Sequence, residues 1–248
     1  MKFFLANVLA LLLGWGNAAA ETITIAAESD WPPYSSDKDN QPQGFAVDIV
    51  REAFKSQGVE VKFQALPFAR CMRSAETGKV IGCFNATIVD SNRDTYCWHP
   101  TPMFKESLLI FGPAATSRED LKISDLEGKR VGSTIGYTYP DTFSKNPKIN
   151  HVPVASDDHL VKMLAAGRVE FILLNGMPGY QRINADPALK ERIKAVGEVS
   201  IDGFWIAFTK KHADGSRYCA VFEKGLQEIH RNGIYEALET AFRKSIGL

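Results

Sequence analysis

Two hydrophobic spacings alternate along this chain. Residues 23–27 (ITIAA) are apolar and β-prone, the pattern of a buried strand. From 45 to 57 the period lengthens. Phe45, Ile49, Ala53 and Phe54 fall on one helical face, Asp48, Arg51, Glu52 and Lys55 fall away from it, and Gly58 closes the helix. A second strand is predicted over 59–66. Pro67 then opens a helix running past Cys71 and Ala75 to Gly78, because proline's missing N–H costs nothing in a first turn. A third strand is predicted over 80–86. The order β-α-β-α-β implies parallel strands. Between the first strand and first helix, Trp31-Pro32-Pro33-Tyr34 and the polar stretch SSDKDNQPQG predict a loop, since two prolines cannot serve a regular ladder.

The middle of the chain repeats the theme. Strands are predicted over 129–133, 152–154 and 169–174, the last a continuous apolar run suited to burial on both faces. Gly136-Tyr137-Thr138 is expected to turn into a helix, and Ser156 to cap another bearing Leu160, Met163 and Leu164. Asn175-Gly176 reads as a turn. After a strand over 205–209, two amphipathic helices close the chain. One carries Tyr218, Val221, Phe222, Leu226 and Ile229; the other carries Ile234, Leu238, Ala241 and Phe242. The stretch 107–113 would lead out of a first α/β lobe and 201–208 would lead back. Two crossings make a hinged cleft.

The first twenty residues, MKFFLANVLALLLGWGNAAA, have the basic start, apolar run and small-residue end of a secretory signal. Their apolar run of about eleven residues is short of the ~20 that span a bilayer. Cleavage after Ala20 would start the mature chain at Glu21, and no later stretch is apolar enough to insert in a membrane. Export gives Cys71, Cys83, Cys97 and Cys219 an oxidising environment. Three pairings are open. Two disulfides are expected, with Cys71–Cys83 preferred because a helix and the next strand would bring them together; Cys97–Cys219 follows by elimination. The 248 residues carry 29 basic and 29 acidic side chains, and this zero balance argues against a nucleic-acid partner.

Motifs for several enzyme classes are missing: there is no P-loop, no G-x-G-x-x-G, no G-x-S-x-G and no HExxH. No Cys-x-x-Cys or paired-histidine spacing suggests a metal, and no cofactor is expected. What remains is an aromatic and polar set beyond predicted strand ends, where open α/β sheets bind ligands. Glu28 and Trp31 follow the first strand and Phe68 the second. Asn85, Thr87 and Arg93 follow the third. Tyr137, Thr138, Tyr139 and Asn175 belong to the second lobe. Singly each has a plain structural reading: Arg93 as a surface arginine, Trp31 and Phe68 as core. Only convergence on one cleft makes them a site.

The segments WPPYSSDKDNQPQGFAVDIV, VDSNRDTYCWHP, DLEGKRVGSTIGYT and LAAGRVEFILLN, in this order, resemble the family 3 solute-binding proteins, the periplasmic receptors of polar amino-acid ABC transporters. The resemblance implies an α/β fold, periplasmic binding protein-like type II, with two lobes joined by a two-strand hinge. It implies lobe 1 from 21–108 and 205–248, lobe 2 from 109–204, and a periplasmic monomer that hands a small carboxylate-bearing ligand to an inner-membrane permease. By position, Arg93 matches the arginine that grips the ligand carboxylate. A guanidinium fork suits that job. Thr138 matches a residue assisting the same group from a helix N-terminus. Trp31 and Phe68 match the aromatic pair that sandwiches the side chain, Asn85 and Thr87 the segment of carbonyl and hydroxyl contacts, and Glu28 an acidic position used in receptors for basic amino acids.

Two positions depart from the pattern. Ile81 replaces an aspartate, and Asn175 stands where an aspartate receives the ligand's ammonium; an amide accepts a hydrogen bond but brings no charge. Tyr137 and Tyr139 replace smaller polar residues, and would either narrow the cleft or add stacking surface. The arrangement around Arg70, Cys71 and Cys83 resembles a subgroup often found outside transporter operons, so a free-standing sensor is one alternative. Another is a cyclohexadienyl dehydratase on the same fold, with Glu28 as general acid.

Overall fold

The computed structural model describes residues 21–39 and 41–247; the expected signal segment lies outside the described residues. The first strand, β1 (Glu21–Glu28), buries Ile23, Ile25, Ala26 and Ala27. The segment expected to be a loop forms a small antiparallel sheet instead, from β2 (Asp30–Trp31), β3 (Ser35–Lys38) and β4 (Gln41–Gln43). Pro32 and Pro33 fall in the turn between β2 and β3, and Pro42 sits on an edge strand, so none has to donate to a ladder.

The amphipathic stretch becomes α1 (Phe45–Ser56), with Phe45, Ile49, Ala53 and Phe54 in the core. Its strand β5 (Val59–Leu66) runs parallel to β1 in register from Glu21↔Val59 to Glu28↔Leu66. Pro67 precedes α2 (Phe68–Glu76), and β6 (Gly82–Ala86) follows. Cys71 on α2 and Cys83 on β6 form a disulfide, with Cα atoms 5.5 Å apart. A two-residue strand, β7 (Tyr96–Cys97), and then the ten-residue β8 (Phe104–Pro113) carry the chain away.

The second lobe is built on β9 (Arg130–Thr134), α3 (Asp141–Ser144), β10 (Asn150–Val154), α4 (Asp157–Ala165), β11 (Phe171–Asn175), α5 (Gly176–Asn184) and α6 (Pro187–Lys190). Ser156 caps α4, its hydroxyl accepting from the His159 N–H at 3.3 Å. Two local expectations need correction. The helix after Tyr137 is one turn that begins only after Pro140, so Thr138 lies on an irregular segment and not at a helix N-terminus. Asn175-Gly176 opens a helix and is not a simple turn; Gly176 packs against Glu106, where a larger residue would crowd the carboxylate.

The return strand is far longer than the pattern suggested. β12 (Ile193–Thr209) has 17 residues and pairs antiparallel with β8 from Ile193↔Pro113 to Phe204↔Phe104. One continuous path, β10-β9-β11-β8-β12-β6-β1-β5, therefore runs through both lobes, and among the described residues β8 and β12 connect them. The helices α7 (Gly215–Arg231) and α8 (Ile234–Ser245) return to the first lobe, where α7 packs on α1. Each lobe has two apolar clusters, one for each face of its part of the sheet.

The second expected disulfide is absent. Cys97 and Cys219 are both free thiols, Cys219 buried on α7 and Cys97 packed against the same core cluster. There they act as small apolar fillers; burial, then the neighbouring Cys97, pushes the Cys219 thiol pKa up.

Candidate functional site

A cleft of about 390 Å³, partly open to solvent, lies in the seam between the lobes. Eight residues singled out from sequence line it: Glu28, Trp31, Phe68, Asn85, Thr87, Tyr137, Thr138 and Asn175. The first five come from strand ends of the first lobe and the last three from the second. Leu108, Asp202 and Phe204 complete the wall. These three lie on β8 and β12, and sequence reasoning missed them because it treated the crossings as connectors. A signal was present: 202 and 204 alternate along a strand and so share a face.

Aromatic rings build much of the wall. Trp31 is buried, with ring centroids 4.9 Å from both Tyr34 and Phe204. Phe68 at the start of α2 meets Tyr137 of the other lobe edge-on at 5.4 Å. The lobes approach closely here. Gly136 has φ +84°, and a Cβ on it would come within 2.7 Å of the Ala69 side chain, so glycine meets both a backbone and a packing requirement.

The polar groups form a connected set. Tyr137 donates its hydroxyl to Glu28 Oε1 at 2.7 Å, across the seam, and the Asn85 amide lies 3.5 Å from Glu28 Oε2. Glu28 is only 3% exposed. Burial pushes its pKa from 4.5 up to about 8, against the opposing pull of the Tyr137 hydrogen bond. Asn85 takes a left-handed backbone conformation, φ +66°, and its buried Oδ1 has no hydrogen-bond partner among the described residues. A strained, buried, unpaired acceptor on a cavity wall suits a ligand that donates.

Two of the expected site residues lie elsewhere. Tyr139 belongs to the interior of the second lobe, where its hydroxyl oxygen accepts from the Thr134 N–H at 2.8 Å. Arg93 is exposed and reaches Asp90 at 3.3 Å, apart from the cavity wall. The turn explains its direction. Asn92 takes the inward position, accepting from Val89 N–H and donating to Thr87 O, both at 2.9 Å, so the next side chain points to solvent.

Outside the cavity a second set of contacts bridges the lobes. Arg182 on α5 donates to Asp30 O and Asp30 Oδ1 on β2, each at 3.0 Å. It also lies 3.0 Å from Asp158 and 3.8 Å from the buried Asp157. On the hinge strand β8, Glu106 accepts from the Tyr34 hydroxyl and, at 2.9 Å, from the Ser107 N–H; burial raises its pKa. No group of three or more metal-ligating side chains occurs among the described residues, and no described helix is long and apolar enough to cross a membrane.

Two lobes, a two-strand connection and a walled cavity in the seam are the anatomy of a closing trap, and a family model matches it across residues 23–244. The chain belongs to the bacterial extracellular solute-binding proteins, family 3. This solute-binding protein is 24% identical over 241 residues to an Escherichia coli (strain K12) protein assigned provisionally as ABC transporter arginine-binding protein 2, covering 93% of this chain and 95% of the relative. It is 22% identical over 219 residues to the probable histidine-binding protein of Campylobacter jejuni, covering 88% and 83%. Among solved structures, an ancestral arginine-binding protein bound to arginine superposes with a TM-score of 0.77 at 21% identity, over 90% of this chain and 99% of that one. The fold is thus the type II periplasmic-binding-protein fold, and the relatives are binding proteins.

Proposed function

We propose that this solute-binding protein captures an amino acid or a related small polar solute between its lobes, in the periplasm and as a monomer, and passes it to an ABC-type importer without acting on it chemically. The observation that carries the reading is the seam cavity itself, whose wall draws on both lobes and both hinge strands and presents an unpaired buried acceptor, Asn85 Oδ1. The arginine- and histidine-binding names of the relatives support the ligand class. A ligand carboxylate would meet Thr138, Asn175 and the Asn85 amide as neutral donors. The carboxylate role that the family pattern gives Arg93 would require its turn to swing inward, away from Asp90.

Thermal-shift screening of the mature chain against amino acids, amines and dicarboxylates tests this. A true ligand at a hundredfold excess over Kd stabilises by about 2.7 kcal/mol. Failure of every compound to shift unfolding, together with unchanged small-angle scattering, would reject it. The dehydratase reading draws on one observation, the raised pKa of Glu28, which keeps a proton available near neutral pH. A polyanionic ring acid, however, would find no cationic side chain on the described wall. Product formation from prephenate or arogenate would reinstate that reading.

A further inference from the structure

We propose that Asp202 is the charged recognition residue of the cavity, and that the preferred ligand is a cationic amine whose binding does not depend on a carboxylate. This rests on the reading of the protein as a solute-capturing receptor and names the chemistry its cavity selects.

Four observations point the same way. The described wall carries two carboxylic acids, Glu28 and Asp202, and no lysine, arginine or histidine. Glu28 is already engaged by the Tyr137 hydroxyl and the Asn85 amide. Asp202 accepts one hydrogen bond, from Ser200 Oγ at 2.7 Å, and makes no ion pair among the described residues. It also stands directly across the hinge ladder from Glu106, so two acids face one another where β8 and β12 cross between the lobes. Glu106 is engaged by the Tyr34 hydroxyl and the Ser107 N–H and is not part of the wall, which leaves Asp202 as the acid of this pair that faces the cavity.

The neutral groups agree. Asn85 Oδ1, on a residue 4% exposed, is an acceptor without a donor among the described residues. Trp31, Phe68 and Phe204 turn aromatic surface toward the same space, and the faces of such rings attract an ammonium or guanidinium. Meanwhile Arg93 remains in solvent with Asp90, and Arg182 is occupied by Asp30, Asp157 and Asp158. Asn175 brings no charge to a ligand ammonium, whereas Asp202 on the hinge strand β12 does.

Isothermal calorimetry on the mature chain tests this with two matched pairs, L-arginine with agmatine and L-histidine with histamine, and with glutarate as an amine-free anion. The expected result is that at least one amine binds within tenfold of its parent amino acid and glutarate does not bind. Asp202→Asn should weaken the bound amine at least tenfold, Asp202→Glu should keep most of the affinity, and Arg93→Ala should change it less than twofold. Thermal unfolding of each variant confirms that it is folded. An amino acid bound more than a hundredfold tighter than its amine, with affinity lost in Arg93→Ala, would overturn the assignment while leaving solute capture intact. Binding of glutarate, or unchanged amine affinity in Asp202→Asn, would also overturn it. Binding of none of the five overturns it as well, and solute capture is then judged by the wider thermal-shift screen.

Discussion

Two acids of the first lobe reach across to the second, and they are treated in opposite ways. Asp30 meets a guanidinium: Arg182 grips both its side chain and its backbone carbonyl. Glu28, two residues earlier and far more buried, meets a phenol, Tyr137. The outer contact sets a guanidinium against both a carboxylate and a backbone carbonyl, and forms without a ligand. The inner contact leaves an acid short of positive charge, which is why burial dominates its pKa. A receptor needs both kinds: a tie that favours closure, and a seam that stays unsatisfied until a ligand completes it.

Removing the outer tie has the largest expected effect. Arg182 is 9% exposed and Asp157 beside it 1% exposed, so Arg182→Ala strands a buried carboxyl. Breaking buried pairs costs about 3–5 kcal/mol, and the low end is expected because burial already raises the Asp157 pKa and lets it take up a proton. Urea unfolding measures the loss. Scattering should also report a larger radius of gyration for the ligand-free protein; an unchanged radius would mean that Arg182 serves only the second lobe.

The inner seam should respond to pH instead. Glu28 titrates near 4.5 when exposed and near 8 in the closed seam. Between those values the closed form holds a proton that an open or unfolded chain has released. Its stability therefore falls as pH rises from about 4.5 to 8, and is level outside that window. Glu28→Gln should abolish this slope and stabilise the closed form at pH 9 by on the order of 2 kcal/mol, after discounting for water entering the seam. Melting curves across pH for both proteins decide it; equal slopes would reassign the titration to another buried acid, such as Glu106.

A smaller change is expected from Tyr137→Phe. It removes one donor to Glu28 and leaves the ring against Phe68, so about 1 kcal/mol should be lost. The Glu28 pKa should rise further, since the Tyr137 hydrogen bond holds it down. A larger loss, comparable with that of Arg182→Ala, would mean that the inner contact is also a principal tie.

The parts legible in the sequence were those with a local cause. Apolar spacing predicted α1 and β5, and helix-then-strand proximity pointed to Cys71–Cys83. Loop residues beyond strand ends converged on the cavity because parallel strands point their carboxyl ends the same way. What stayed hidden depended on distant partners. Asp202 and Phe204 face the cavity only because β12 runs unbroken for 17 residues against β8. Arg93 faces outward because Asn92 claims the inner side of a tight turn, a detail no motif spacing conveys. Arg182 escaped notice altogether: it lies on a helix that the Asn-Gly turn signal concealed, and its partner Asp30 is 152 positions away. Cys97 and Cys219 show the limit of elimination, since packing in one core cluster does not make a bond.

The smallest effect, and the sharpest for the comparison, is expected from Asp30→Asn. The Asp30 carboxylate is 59% exposed, so its ion pair with Arg182 is screened by water and worth under about 1 kcal/mol. The backbone carbonyl of Asp30 still accepts from Arg182 in the variant, and an asparagine Oδ1 can replace the lost carboxylate oxygen. Closure should thus survive, with a radius of gyration equal to that of the parent in low and high salt. If Asp30→Asn instead opens the ligand-free protein as far as Arg182→Ala does, the tie depends on charge at the surface. Closure should then weaken with added salt, and the outer clasp is ionic where the inner seam is not.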